Sequence, residues 1–232
     1  MSRDDPFIVR NNAFPPIGEA VAERAVINKL GFQVVVDFFT QLTLSGLTYH
    51  VQMGTEAAGV AFTTTIDDQL VSMLMDNNAG YALIPLRFEA NTGVYAGATL
   101  SYAMLELDMA KKRYSSGGTA FVPRNLHAQA PASWNGVAYV AGSSDITSLT
   151  KTAVPDSVEL SRRQFTEDAL ADTIGYPGSW GKEIFSMRTH PIAVSYGVSS
   201  LIGHVGSASA DMTGYAVLQA AQLTIAQVNS TG

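Results

Sequence analysis

An all-β sandwich or barrel is the fold class this sequence predicts, and three observations carry the prediction. Of 232 residues, 47% are hydrophobic and only 15% charged, with 20 glycines, the balance of strand-and-turn proteins rather than helical bundles. Apolar stretches recur at short intervals, among them "GVAFTTTI", "YALIPLRFEA", "TLSYAMLELDMA", "TAFVP", "GVAYVAG", "FSMRTHPIAVSYG", "SSLIGHVG" and "YAVLQAAQLTIAQ". The segments between them are rich in Gly, Asn, Asp, Ser and Pro, which are turn formers. A parallel α/β sheet would need strands alternating with helices, and that rhythm is missing.

In chain order, residues 1–30 read as an N-terminal arm. Pro6, Pro15 and Pro16 break its start, and "GEAVAERAVINKL" offers a short helix with a weak stripe at Val21, Ala25 and Val26. From Gly31 the texture turns to β, and residues 31–232 read as one domain. "FQVVVDFFTQLTLSGLTYHVQMG" is dense in Val, Phe, Thr and Tyr, and Ser45-Gly46 divides it as a turn divides two paired strands.

"DDQLVSMLMDNNAG" fits a helix face through Leu70, Met73 and Leu74, or a strand face through Val71, Met73 and Met75. The turn residues Asn77–Gly80 before "YALIPLRF" favour the strand. Trp134-Asn135-Gly136-Val137 predicts a tight hairpin, because Asn-Gly supplies positive φ at both turn centres.

"PDSVELSRRQFTEDALADTIGYPG" is helical material, with Thr166 as N-cap, Glu167 and Asp168 in the first turn and Gly175 as a stop. This predicts a short helical insertion near 166–174. The closing stretch predicts a long hairpin. Leu201, Gly203 and Val205 alternate before the Gly206–Gly214 connection, and Tyr215, Val217, Ala221, Leu223 and Ile225 alternate after it as one apolar face. The opposite face, Ala216, Ala220, Gln222, Thr224 and Ala226, is small and neutral enough to lie against another subunit without stranding a charge.

Charge narrows the class of partner. A net charge of -6, from 14 Lys and Arg against 20 Asp and Glu, has the wrong sign for a protein that wraps nucleic acid by neutralising phosphates. The run Lys111 to Arg113 reads as a solvated strand end without a ligand. The absence of Cys removes disulfides and thiolate chemistry. Residues 1–12 lack the succession of basic, apolar and small residues of a signal peptide, and no stretch approaches about 18 uninterrupted apolar residues. Synthesis in the cytoplasm and no transmembrane segment are the expectations.

A search for catalytic, cofactor and metal constellations assigns no residue. His50, His127, His190 and His204 are scattered, and none pairs with another at a spacing that puts two imidazoles on one side of an element. "GSAS" at 206–209 echoes a nucleophile motif, but no G-x-S-x-G occurs and the stretch serves a turn. Asp4-Asp5, Asp67-Asp68 and Glu167-Asp168 read as solvated surface rather than acid-base or calcium sites. Trp134, Tyr139, Tyr176 and Trp180 could form a sugar-stacking platform, but read first as core or subunit contact. The expectation is a protein that is not an enzyme and carries no cofactor.

Two stretches carry a resemblance: "GVAFTTTIDDQLVSMLMDNNAGYALIPLRFEA", a Thr-rich strand, an apolar strand and an Ile-Pro-Leu-Arg strand, and the closing "SSLIGHVGSASADMTGYAVLQAAQL". In their order of features they resemble single-jelly-roll capsid proteins, especially major capsid proteins of membrane-containing icosahedral viruses of archaea and bacteria. The resemblance implies a jelly-roll β-sandwich of two antiparallel sheets with Greek-key connections. It further implies a virion subunit whose partners are copies of itself and other capsid proteins, close to an internal membrane and without direct nucleic-acid contact. Phe7, Ile8, Val9 and Phe14 would dock the arm on a neighbour, with Pro15-Pro16 keeping the link extended. A receptor- or carbohydrate-binding β-sandwich, a spike or decoration module, is the alternative expectation.

Overall fold

A computed structural model describes residues 38–55, 57–64, 70–92, 99–109, 111–129, 132–142, 149–152, 157–167, 181–190, 193–209 and 212–229. The arm at 1–30 and the core of the expected helical insertion, 168–174, lie outside the described residues.

The elements in order are α1 (Phe38–Leu44), β1 (Thr48–Met53), β2 (Val60–Ala61), β3 (Leu70–Val71), β4 (Met73–Asn77), β5 (Tyr81–Thr92), β6 (Thr99–Asp108), β7 (Tyr114–Ser116), β8 (Thr119–Phe121), β9 (Arg124–Asn125), β10 (Gly136–Val140), β11 (Leu149–Lys151), β12 (Ser157–Glu167), β13 (Gly181–Ser186), β14 (Ser195–Tyr196), β15 (Ser199–Ser207), β16 (Thr213–Thr224) and α2 (Ile225–Asn229). They build an antiparallel β-sandwich. One sheet has the order β13-β5-β16-β1-β9, with β14 added to β5 and β2 to β16; the other runs β12-β6-β15-β4-β10-β8. A small sheet, β3-β11-β7, makes a third layer.

Between the two large sheets lies the main core. Met53, Phe88, Leu105, Phe185, Leu201, Val205 and Leu218 interdigitate there, as the alternation of side chains across each strand requires. β5 is apolar on both faces, because Leu83, Phe88 and Ala90 face this core while Ile84 and Leu86 face a second cluster outside the sheet. Its register on β16 jumps from Arg87 to Pro85, leaving Leu86 as the extra residue. Such a bulge is where a strand tolerates proline, which has no N–H for the ladder.

Four expectations need correction. Phe38–Leu44 is not a strand but α1, and Ser45-Gly46 is its C-cap rather than a hairpin turn. Gly46 has φ 69°, and the bonds Leu47 N–H to Leu42 O and Gly46 N–H to Thr43 O are those of a Schellman motif. Phe38, Phe39 and Leu42 pack on the second cluster, so tertiary burial overrides the β-propensity of the segment.

Second, Ser157–Glu167 is strand β12, paired along β6 from Ser157↔Asp108 to Glu167↔Thr99. Thr166 and Glu167 therefore close a strand instead of capping a helix. Third, Asn135-Gly136 is not a hairpin turn, because β10 pairs with β4 and β8 rather than with its chain neighbour β9. Glycine is needed at 136 for close approach, since a Cβ there would meet the Asp76 carbonyl oxygen at 1.9 Å.

Fourth, β15 and β16 are not a hairpin: β15 lies between β6 and β4, β16 between β5 and β1 in the other sheet. The connection turns a corner between sheets, and the faces of β16 are the reverse of the expected ones. Ala216, Leu218 and Ala220 sit in the main core, whereas Ala221 and Leu223 lie outside under α1. Small residues face inward because large partners on other strands fill the space; a Cβ on Gly203 would meet the Phe88 ring at 3.0 Å, and one on Gly214 the Phe62 ring at 2.4 Å. The alternation also stops at Thr224, since Ile225–Asn229 is α2.

Candidate functional site

The outer face of the six-stranded sheet carries the chemistry. Along β6, Leu105 and Leu107 face the core, which turns Glu106 and Asp108 outward. β15 does the same with Ser200, Ile202 and His204, and β4 with Leu74 and Asp76. In an exposed sheet these polar groups would meet water, but the third layer covers them and all are buried.

At the centre, Glu106 Oε2 lies 2.5 Å from Lys151 Nζ of β11 and 3.2 Å from His204 Nε2 of β15. Lys151 is 2% exposed, a burial that lysine accepts only when paired. Burial works against a charged Glu106, yet the hydrogen bonds and charges of His204 and Lys151 together outweigh it and hold its pKa at about 2. His204 Nδ1 is buried without a hydrogen-bond partner among the described residues.

Toward one end of the sheet, Arg113 pairs with Asp108 through its Nε. Asp76 accepts the backbone N–H groups of Arg113 at 3.1 Å and Tyr114 at 3.3 Å, and the hydroxyl of Ser200. Burial pushes the Asp76 carboxyl up, against the pull of the Ser200 hydroxyl and those two N–H groups. Apolar contacts complete the layer: Val71 and Leu149 cover Leu74 and Ile202, and the rings of Tyr114 and Tyr139 stack at 3.6 Å. Chemically, the arrangement locks β7 and β11 onto the sandwich by matched charges.

The basic run is thus divided. Lys111 and Lys112 are exposed, but Arg113 is buried in the Asp108 pair and is not solvated as expected. Trp134 is core, 8% exposed, with its ring edge on Tyr49 at 5.3 Å and its indole N–H donated to the Asp76 carbonyl. Tyr176, Trp180 and the acid pairs Asp4-Asp5 and Asp67-Asp68 lie outside the described residues.

The structure brings none of the four histidines together as ligands, and among the described residues no group of three or more His, Asp or Glu could hold a metal ion. His190 Nε2 lies 3.4 Å from Ser161 Oγ, but that hydroxyl is donated to the Ile184 carbonyl at 2.7 Å. The other ring nitrogen faces Thr189 Oγ1 and the Ser186 carbonyl, so no carboxylate orients the ring.

Sequence reasoning missed the Glu106, Lys151 and His204 cluster. Its members are 45 and 98 residues apart, and Glu106 within "AMLELD" reads as the wet side of an amphipathic strand. The available signal was the pair Glu106 and Asp108 on the same face as His204 and Ser200 once β6 and β15 are neighbours, and that pairing is non-local.

Fold and site define the class, a three-layered antiparallel β-sandwich whose third layer is pinned by buried charge. No protein-family model, no curated protein and no solved structure matches the chain.

Proposed function

We propose that the chain is a virion structural protein, a capsid subunit that assembles into an icosahedral shell through repeated contacts between jelly rolls. Strand order is the observation that carries the reading. Taking the eight strands β1, β4, β5, β6, β12, β13, β15 and β16 as first to eighth, one sheet runs sixth, third, eighth, first and the other fifth, fourth, seventh, second. This is the order a jelly roll produces when a long antiparallel ribbon wraps into two facing sheets, and that architecture recurs in capsid proteins.

The buried charges fit a rigid building block. They sit in a covered layer with each acid partnered by the sheet above it, an arrangement that specifies one geometry rather than offering a pocket. On this reading the subunit performs no catalysis, needs no cofactor, resides in the virion and meets copies of itself and other capsid proteins, with an internal membrane as neighbour.

Electron microscopy and light scattering of the purified chain test the reading, with a variant lacking residues 1–16 beside it. Capsomers or closed shells are expected, with weaker neighbour contacts after the deletion. A monodisperse monomer at high concentration that never enters particles would overturn the proposal, as would strong, specific binding on a glycan array in place of assembly.

A further inference from the structure

The pair Asn135-Gly136, which closes no hairpin, is the one Asn-Gly of the sequence, and in the fold it forms a clasp. Asn135 stands at the head of β10 in the six-stranded sheet, and each of its polar groups is taken. Its backbone N–H donates to Gln222 Oε1 at 2.7 Å. Its carbonyl accepts from Gln222 Nε2 at 3.0 Å and from the Asn78 N–H at 3.2 Å. The side-chain oxygen accepts from Asn78 Nδ2 at 2.7 Å, and Nδ2 donates to the Tyr81 hydroxyl at 2.9 Å. Gln222 belongs to β16 and Tyr81 to β5, both in the opposite sheet. Gln222 is buried and reaches on to Asn77 Oδ1 of β4 at 2.6 Å. One residue thus ties the two large sheets together at one end.

We propose that Asn135 is a deamidation site gated by the fold: the closed clasp protects it, the open clasp lets it react, and the isoaspartyl product does not close the clasp again. Asn-Gly is the dipeptide best suited to cyclise on itself, because glycine has no Cβ to hinder its own nitrogen. The Gly136 nitrogen bonds to Asn135 Cγ, the Cγ–Nδ2 bond breaks, and ammonia leaves with the proton that the Gly136 nitrogen gives up. Water then opens the five-membered imide, its hydroxyl going to one carbonyl carbon and its proton to the ring nitrogen. Opening at Cγ leaves aspartate. Opening at the main-chain carbonyl carbon leaves isoaspartate, in which the chain runs through the former side chain and is one methylene longer.

The gate is geometric. For the first step Cγ must swing onto the Gly136 nitrogen, but the amide is held at both ends, by Asn78 at the oxygen and by Tyr81 at the nitrogen, so the swing breaks both bonds. The way back is blocked by space. Gly136 lies so close to β4 that even a Cβ there would meet the Asp76 carbonyl oxygen at 1.9 Å, and an added main-chain methylene just before it has no room. Both products also replace the Nδ2 donor by a carboxylate oxygen. A chain that has once opened at this end is thereby marked. The inference concerns the single folded chain and does not rest on the capsid reading.

Incubating the folded chain, and the chain unfolded in guanidinium chloride, in the same mildly alkaline buffer tests the gate, with peptide mapping by mass spectrometry and enzymatic methylation of isoaspartate as the readout at residue 135. The folded chain should react there about tenfold or more slowly than the unfolded one, because it reacts only through local opening. Tyr81→Phe and Asn78→Ala each remove one holding bond and should speed the folded-state reaction about fivefold. Neither should change the unfolded-state rate, since these residues lie 54 and 57 positions from Asn135. Circular dichroism checks that each variant is folded, and Tyr81→Phe, which keeps the ring, carries the test if Asn78→Ala does not fold. Reacted chain returned to native buffer should refold in a yield that falls as isoaspartate at 135 rises. Equal rates in the folded and unfolded chains, folded variants that react no faster, or an isoaspartyl chain that refolds as completely as the intact one would overturn the proposal.

Discussion

The sandwich has two outer faces, each covered by an added element, and the two covers are built on opposite principles. On the seven-stranded sheet, α1 lies over Ile84, Leu86, Ala221 and Leu223 with Leu42 and Leu47, an apolar contact with Arg188 over the Phe39 ring and a Thr48–Thr43 hydroxyl bond at its margin. On the six-stranded sheet, the layer of β3, β7 and β11 includes the apolar group Val71, Leu74, Leu149 and Ile202 but also encloses Glu106, Lys151, His204, Asp108, Arg113 and Asp76. An apolar cover is non-directional and tolerates small shifts. A charged cover is stable only while every partner is in place, because each ion left alone in a dry layer costs several kcal/mol.

Breaking one partner of the charged cover should have the largest effect. Lys151→Met strands Glu106 beside His204 alone, and a loss of about 3–5 kcal/mol in denaturant unfolding is expected. The double variant Lys151→Met with Glu106→Met removes both charges and should recover most of that loss. If the double variant is as unstable as the single one, packing rather than charge holds the layer.

Acid sharpens the same contrast. Glu106 titrates near 2 in the folded chain against an ordinary 4.5, so its folded-state pKa is depressed. Its contribution is complete above about 4.5 and is lost as the pH falls toward 2, on the order of 3 kcal/mol in all. Asp76 is shifted the other way, so its protonation relieves a burial cost and offsets part of this loss as the medium is acidified. Stability measured against pH should therefore fall more steeply in this window for the wild type than for the double methionine variant. Equal slopes would remove Glu106 from the account.

The apolar cover should give least. Leu42→Ala deletes a buried side chain beneath a helix that can settle toward the sheet, and a loss of about 2 kcal/mol is expected. Hydrogen exchange should localise it to α1 and the adjoining ends of β5 and β16, whereas Lys151→Met should raise exchange in β7 and β11. Uniform loss of protection in both variants would mean that the two covers are one cooperative unit.

Much of the fold was legible because strand formation leaves a local record. "YALIPLRFEA", "TLSYAMLELDMA" and "GVAYVAG" alternate or run apolar within single strands, and the structure places β5, β6 and β10 on them. The misreadings fall where two structures share one local pattern. "FFTQLTL" is rich in strand formers yet folds as α1, since a two-turn helix presents Phe38, Phe39 and Leu42 to the waiting face of β5 and β16. "SVELSRRQFTE" ends on Thr166 and Glu167, residues suited to a helix start, yet pairs with β6, whose edge offers ten positions of ladder. A Gly- and Ser-rich connection looks the same whether it closes a hairpin or turns a corner between sheets, which is why β15 and β16 were joined in one sheet by the sequence and parted by the fold.

What the sequence determined by itself is therefore the alphabet of the protein: strand-dense composition, turns at Gly and Asn, and the lack of cysteine. Local sterics and backbone propensity suffice for those, since they act within a few residues. Tertiary structure alone decided which face of β16 is inside, which glycine answers to close approach rather than to a turn, and that Glu106 meets Lys151 and His204. Those outcomes depend on volumes and charges brought together from distant parts of the chain, and free energy of that kind is defined only once the sheets have packed.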